Sequence, residues 1–277
     1  YEMGVESFDY YGVGEGSKPN CYIVGNLVDS ATSAYIPYCS DEYSHSGSAS
    51  LKLASTPSYN GAYAITPEID IDSISRLRVR FNASVGNYYT SQYASELIVA
   101  VLTDPKDLSS QTDIDTIKIY GGEDLQYEVR FDEYIGDYDD VYGRYVMFVS
   151  YSNKNNVVFI DDVVFDTIPT CVAPKVKELT NTPNRLVLNL YGGGLSYQAK
   201  YIIGNYSQEA IDVAPIHDIA NGNLEINGLS QNTACYVMVR SVCGSDYSDW
   251  SPVLRFTTMQ LAEATLPYYD PFTQNAF

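Results

Sequence analysis

Apolar and polar residues alternate with a period of two along most of this chain, the pattern of strands with one buried and one solvated face. Leu77 to Val85, Ile114 to Tyr120 and Tyr127 to Tyr134 alternate in this way. So does Ala62 to Ile71, where Glu68, Asp70 and Asp72 share one face and Ile69 and Ile71 the other. Two segments depart from the alternation. Glu96 to Asp104 (ELIVAVLTD) and Arg144 to Tyr151 (RYVMFVSY) are almost continuously apolar and predict strongly buried strands. Glu6 to Tyr10 and Ser44 to Leu53 predict further strands, the latter after a turn at Ser46-Gly47. Val157 to Phe165 is apolar and β-branched, interrupted by Asp161 and Asp162, and predicts the closing strand of a first domain. No segment here carries a convincing helical period. Roughly nine strands over about 160 residues predict a two-sheet sandwich, with a jelly roll the best fit.

After a joint containing Pro169, Cys171 and Pro174 the texture changes. Leu186 to Leu190, Gln198 to Gly204, Asn223 to Ile226, Cys235 to Val242 and Leu254 to Thr258 predict closely spaced strands. An immunoglobulin-like sandwich of about 90 residues has this signature. The fold class is therefore all-β, with a jelly-roll sandwich over residues 1–168 and a second sandwich over 169–258. Residues 259–277 read as a tail that opens with a linker through Thr265.

Composition narrows the functions. The 277 residues carry 16 Lys and Arg against 35 Asp and Glu, a net charge of −19. Such a surface repels a phosphate backbone, which argues against nucleic acid, and it suits divalent cations. No window approaches the apolar length of a membrane span. The chain opens on Tyr1 without an initiator Met or a secretory leader, as a processed or excised piece would. Its 27 tyrosines suit half-exposed sheet faces and contacts with sugars or proteins. The five cysteines lack a CxxC spacing and only two His are present, which argues against zinc and for an oxidising, extracytoplasmic setting. Cys21 and Cys39 are close enough in sequence to pair across a loop, and an odd count leaves at least one thiol over. Catalysis has little support. His45 and His217 stand far apart without a GxSxG or HExxH motif. Many Asp/Glu pairs exist and none is singled out as a glycosidase pair. Gly192-Gly193-Gly194 lacks the Lys-Ser/Thr of a phosphate cradle and reads as a turn.

Two family patterns emerge from particular residues. The first is carried by Phe8-Asp9, Pro19-Asn20-Cys21-Tyr22, His45-Ser46-Gly47-Ser48, Ile65-Thr66-Pro67-Glu68-Ile69, Val99 to Pro105 and Phe159-Ile160-Asp161-Asp162-Val163. In that order they resemble the choice-of-anchor J and cleaved-adhesin jelly rolls of secreted bacterial proteins, relatives of MAM-type domains. Tyr22 stands near where a Trp is usual. The second is carried by Cys171 to Pro174, Leu229 to Val239, Cys243-Gly244, Tyr247 to Ser251 and Phe256-Thr257-Thr258, and resembles a fibronectin type III module. Here Cys235 replaces the family's corner Tyr and Leu190 an early core Trp. Leu266 to Phe272 is similar to the lead-in of another jelly roll, with Phe272-Thr273 where Phe8-Asp9 stands.

The first resemblance implies a structural calcium ion held by Asp9, by loop residues His45 and Ser46, and by Asp161 or Asp162. Adjacent strand residues face opposite ways, so one of the two aspartates is expected as a side-chain ligand. The structural alternative is an edge-protecting charge pair. The second resemblance places Cys171 and Cys243 at one pole, which implies a disulfide between them and leaves Cys235 a buried free thiol. Tyr88, Tyr89 and Tyr93 lie in a polar loop and are the candidate glycan-stacking residues. The loop Gly136 to Asp140 flanks an aromatic with carboxylates and is a weaker candidate. Together these features imply a non-catalytic adhesive region of a secreted or cell-surface bacterial protein. Its expected partners are a glycan or a host or surface protein, besides neighbouring modules of the same chain. Structural spacer modules are the competing expectation, as is an accessory region of a secreted protease or glycosidase.

Overall fold

A computed structural model of the chain describes residues 4–86, 94–121, 123–133, 143–151, 156–194 and 196–261. The chain divides into two compact units, Tyr1–Thr170 and Cys171–Phe277. In the first, β1 (Ile23–Asn26), β4 (Ala62–Ile65), β9 (Tyr145–Ser150), β6 (Ala94–Leu102) and β7 (Thr112–Tyr120) form one five-stranded sheet in the order β1-β4-β9-β6-β7. The other contains β2 (Tyr38–Ser40), β3 (Ser50–Ser55), β10 (Asn156–Thr167), β5 (Leu77–Ser84) and β8 (Asp124–Arg130) in the order β2-β3-β10-β5-β8. Leu51, Leu53, Val79, Phe81, Val158 and Ile160 of the second sheet share a core with Leu97, Val99, Val101 and Phe148 of the first. Phe81 meets Phe148 edge-on across the two sheets, with ring centroids 5.2 Å apart.

The apolar runs have a simple cause. On β6 and β9 the residues between the core positions are buried too: Ala100, Leu102, Met147 and Val149 form a separate cluster with Ile65. Both faces of these central strands are covered, so alternation disappears. On the second sheet the outer face is polar instead. There Arg78 donates to Glu128 at 2.9 Å and to Asp166 at 2.7 Å, and Arg80 donates to Asp166.

Two expected strands differ. Glu6 to Tyr10 contributes only an antiparallel bridge from Glu6 to Val163. Phe8 then adopts a left-handed φ of 59°, which buries its ring completely and turns the chain. The strand expected over Ser44 to Leu53 starts only at Ser50. Carboxylates take the N–H groups of His45, Ser46, Ser48 and Ala49, so these cannot join a ladder. The short strands β1 and β2 had no alternation long enough to show in the sequence.

The second unit pairs a sheet of β11 (Lys175–Thr182), β12 (Arg185–Tyr191) and β15 (Asn223–Asn227) with a sheet of β14 (His217–Ile219), β13 (Ser196–Ile203), β16 (Ala234–Cys243) and β17 (Asp246–Tyr247). β18 (Leu254–Thr257) also pairs with β16. This three-plus-five arrangement, with β17 and β18 both paired to β16, is an immunoglobulin-like sandwich of the fibronectin type III kind. Leu190 and Cys235 both face its core. A short helix, α1 (Gln208–Asp212), begins at Ser207, whose hydroxyl accepts the Ala210 N–H at 3.2 Å. Cys171 and Cys243 are disulfide-bonded, with Cα atoms 6.2 Å apart. Beside the bridge a Cβ on Gly193 would stand 2.5 Å from the Val172 carbonyl oxygen. The triple glycine is thus a turn packed against the opening segment.

Cys21 and Cys39 do not pair; both thiols are free. Cys39 points from β2 into the core, and burial pushes its thiol up to about 12. Cys21 is exposed in a left-handed turn at φ 63°. Sequence spacing brought the two near one another along the chain but not onto one side of it.

Candidate functional site

Three distant pieces of the first unit converge on the loop between β2 and β3. From the N-terminal turn, Asp9 Oδ1 accepts the N–H groups of Ser48 at 2.5 Å and Ala49 at 3.0 Å. From β10, Asp161 Oδ2 accepts the N–H groups of His45 at 2.9 Å and Ser46 at 3.1 Å. The Ser46 hydroxyl donates to Asp162 Oδ1 at 2.8 Å. The loop is also fixed from β8, where Asp124 lies 2.6 Å from His45 Nδ1. Tyr43 leans on the Phe159 ring at 5.8 Å. Gly47 lies between these anchors with φ 58°, and a Cβ there would meet Asp9 Oδ2 at 1.9 Å. Only glycine allows the Asp9 carboxylate to lie against the loop backbone.

The two adjacent aspartates reach the same residue, which simple alternation forbids. A bulge between Asp161 and Val164 resolves this, with Asp162 in the left-handed region at φ 49°. The expectation that one of the pair points away is therefore corrected: both face the loop. Asp124, Tyr43 and the obligatory Gly47 were not singled out from sequence. Only Gly47 left a trace there, as the glycine of the His45-Ser46-Gly47-Ser48 turn.

The electrostatics are unusual. Asp161 is 2% exposed and forms no ion pair with a Lys or Arg among the described residues. Burial pushes its carboxyl up to about 6, although three backbone N–H bonds oppose the shift. Asp9 moves the other way, held low first by the Ser48 N–H. The donors are all oxygen, the type a hard dication takes: three carboxylates and the Ser46 hydroxyl around one loop. Here Asp9 and Asp161 are occupied by N–H donors and Asp162 by the Ser46 hydroxyl. No group of three or more His, Cys, Asp or Glu side chains stands together as a metal cage among the described residues. Tyr88, Tyr89 and Tyr93 lie outside the described residues, as does the loop Gly136 to Asp140. His217 stacks on Tyr201 with ring centroids 5.0 Å apart in the second unit.

The raised Asp161 carboxyl makes a stability prediction with a definite sign. The folded state binds this proton more tightly than the unfolded chain, whose carboxyl titrates near 3.8. The contribution is complete below that value and is lost as pH rises through about 6. It amounts to roughly 3 kcal/mol. With a chelator present, the midpoint of the first unit should therefore rise between pH 7.5 and pH 5. Asp161→Asn should flatten that rise, and a wild-type midpoint that does not change over this range contradicts it.

No family model matches the chain, and no curated protein matches it. Among solved structures it is similar to a cleaved adhesin domain of Lys-gingipain from Porphyromonas gingivalis, with 15% identity and a TM-score of 0.43. That match covers 60% of this chain and 98% of the other. The fibronectin type III domain of the human collagen alpha-1(XX) chain matches 34% of this chain and 89% of its own, with 17% identity and a TM-score of 0.28. A β-1,2-glucanase from Parabacteroides distasonis covers 94% of this chain with 11% identity and a TM-score of 0.33, and this chain covers 38% of it. Among the described residues, no helix is long and apolar enough to cross a membrane.

Proposed function

We propose that this chain is a non-catalytic adhesive region of a secreted or surface-attached bacterial protein. The reading rests on one observation. Phe8-Asp9, His45 to Ser48 and Asp161-Asp162, the most dispersed pieces of the adhesin-like pattern, meet at one loop through Asp9, Asp161 and Asp162. Such a clamp holds a rigid sandwich on which loops can present a ligand surface. The ligand proposed is a glycan, stacked on Tyr88, Tyr89 and Tyr93. A calcium ion is proposed as the structural partner of the clamp, with Asp9, Asp161, Asp162 and Ser46 as its side-chain ligands and loop carbonyls completing the set. The ion would supply the positive charge that buried Asp161 lacks.

A glycan array probed with the whole chain tests the ligand. Tyr88→Ala and Tyr89→Ala should each weaken binding by about tenfold, a loss of one stacking contact. A chain that binds no glycan, or binds equally well with both substitutions, favours the spacer reading. Calcium is tested separately by calorimetry. At a hundredfold excess over Kd a ligand of the folded state adds about 2.7 kcal/mol. For a unit of this size that raises the midpoint by roughly 5–10 °C. A midpoint unmoved by calcium or by a chelator removes the ion from the proposal.

A further inference from the structure

The first sandwich contains a cavity of about 480 Å³ beside the start of β5 and the end of β10. That volume falls in the range of about 300–1,000 Å³ typical of ligand sites. Ile69, Leu77, Val163 and Phe165 supply apolar wall. Val163 and Phe165 reach it together because alternate residues of β10 share a side. The remaining side chains are rich in oxygen. Glu6, Glu68 and Asp70 line the cavity and, among the described residues, no Lys or Arg does, although Arg144 pairs with Glu68 at 3.3 Å.

One wall residue brings an unpartnered polar group to the cavity. Tyr22 is 6% exposed, yet its hydroxyl has no hydrogen-bond partner among the described residues. The hydroxyl oxygen is not sealed off: it opens onto the cavity and is free to accept a hydrogen bond from a group placed there. Its neighbour Glu6 is already engaged: Oε1 accepts the Phe8 N–H at 3.0 Å and Oε2 the Tyr11 hydroxyl at 3.1 Å. Each of these oxygens keeps a further lone pair.

We propose that this cavity docks a lysine side chain presented by a partner protein. The four-carbon stem covers apolar wall, and the ammonium donates to the Tyr22 hydroxyl and to carboxylate oxygens. Guanidinium prefers a free carboxylate edge for bidentate pairing; both Glu6 oxygens are taken up in separate bonds and Glu68 pairs with Arg144, which leaves the exposed Asp70 as the one lining carboxylate for that geometry. The chain's −19 net charge steers a basic partner toward it. The inference goes beyond the adhesive reading and depends on neither the glycan loop nor calcium.

The test uses the full chain with labelled isoleucine methyls, Ile69 and Ile71 being assigned by Ile→Val substitution. The probe is Nα-acetyl-lysinamide, compared with the norleucine analogue, which keeps the stem without the ammonium, and with the arginine analogue. The lysine probe should shift both methyls saturably, and norleucine should bind at least about tenfold more weakly. Tyr22→Phe removes only an unpartnered hydroxyl and should leave the unfolding midpoint unchanged. It should weaken the lysine probe about tenfold while leaving norleucine unaffected. The proposal is overturned by unmoved methyls, by equal binding of lysine and norleucine, or by a Tyr22→Phe chain that binds lysine normally. Tighter binding of the arginine probe overturns the choice of lysine.

Discussion

Reducing the Cys171–Cys243 bridge should destabilise the second unit by about 4 kcal/mol while leaving the first unit unchanged. The bridge spans 72 residues of sequence. Closing a loop of that size in the unfolded chain removes entropy equivalent to about 4 kcal/mol at room temperature. For a unit of about 100 residues this lowers the midpoint by roughly 15–25 °C. The location adds to the expectation. Cys171 precedes β11 and Cys243 ends β16, so the bridge ties the segment entering one sheet to the last residue of the longest strand of the other. The measurement is clean because the chain has a single Trp. Trp250 sits in the second unit with the Lys200 ammonium 4.8 Å and the Arg240 guanidinium 4.6 Å from its ring. Its fluorescence therefore reports the unfolding of that unit alone. The double variant Cys171→Ser/Cys243→Ser should match the reduced protein. A Trp250 transition that shifts by only a few degrees would show that the opening segment is held by packing and not by the bridge.

The same sequence shows which parts of a β-protein can be read from residues. β6 and β9 were legible because both of their faces are buried, so Ala100, Leu102, Met147 and Val149 extend the apolar run set by the core positions. The sandwich of the second unit was legible through short alternating strands such as β12. The turn at Phe8 was not. An aromatic beside two carboxylates fits a strand pattern, and nothing local signals that Phe8 takes φ 59°. That conformation follows from a tertiary demand: the ring must enter the core while Asp9 reaches a loop some forty residues away. The bulge at Asp161-Asp162 was hidden for the same reason. Period-two reasoning assumes a regular pleat, and the feature that aims both carboxylates at Ser46 is a break in it. Cys21 and Cys39 show the converse error, in which a suggestive spacing had no bearing on which side of the chain each thiol occupies.

Replacing Phe8 should have the largest effect of any single substitution in the first unit. The ring is fully buried and packs edge-on against Tyr22 with centroids 6.1 Å apart. Truncating such a side chain to Ala costs about 3–5 kcal/mol, from lost transfer energy and the cavity left behind. Here the backbone allows a sharper test. A residue other than glycine held in the left-handed region costs about 1 kcal/mol or more, and Ala carries this cost as Phe does. Glycine does not. In an ordinary strand or helix interior Gly is worse than Ala, whereas at position 8 Phe8→Gly should be equal to or more stable than Phe8→Ala, by about 1 kcal/mol. Neither variant should disturb the Trp250 transition of the second unit. Both should loosen the loop between β2 and β3, and with it any stabilisation by the proposed calcium ion, because Phe8 is the anchor that aims Asp9 at the N–H groups of Ser48 and Ala49. Urea unfolding followed by near-ultraviolet circular dichroism of the tyrosines gives the two stabilities. If Ala proves clearly more stable than Gly, Phe8 is not held left-handed. If Phe8→Ala costs less than about 1 kcal/mol, the ring does not anchor the N-terminal turn.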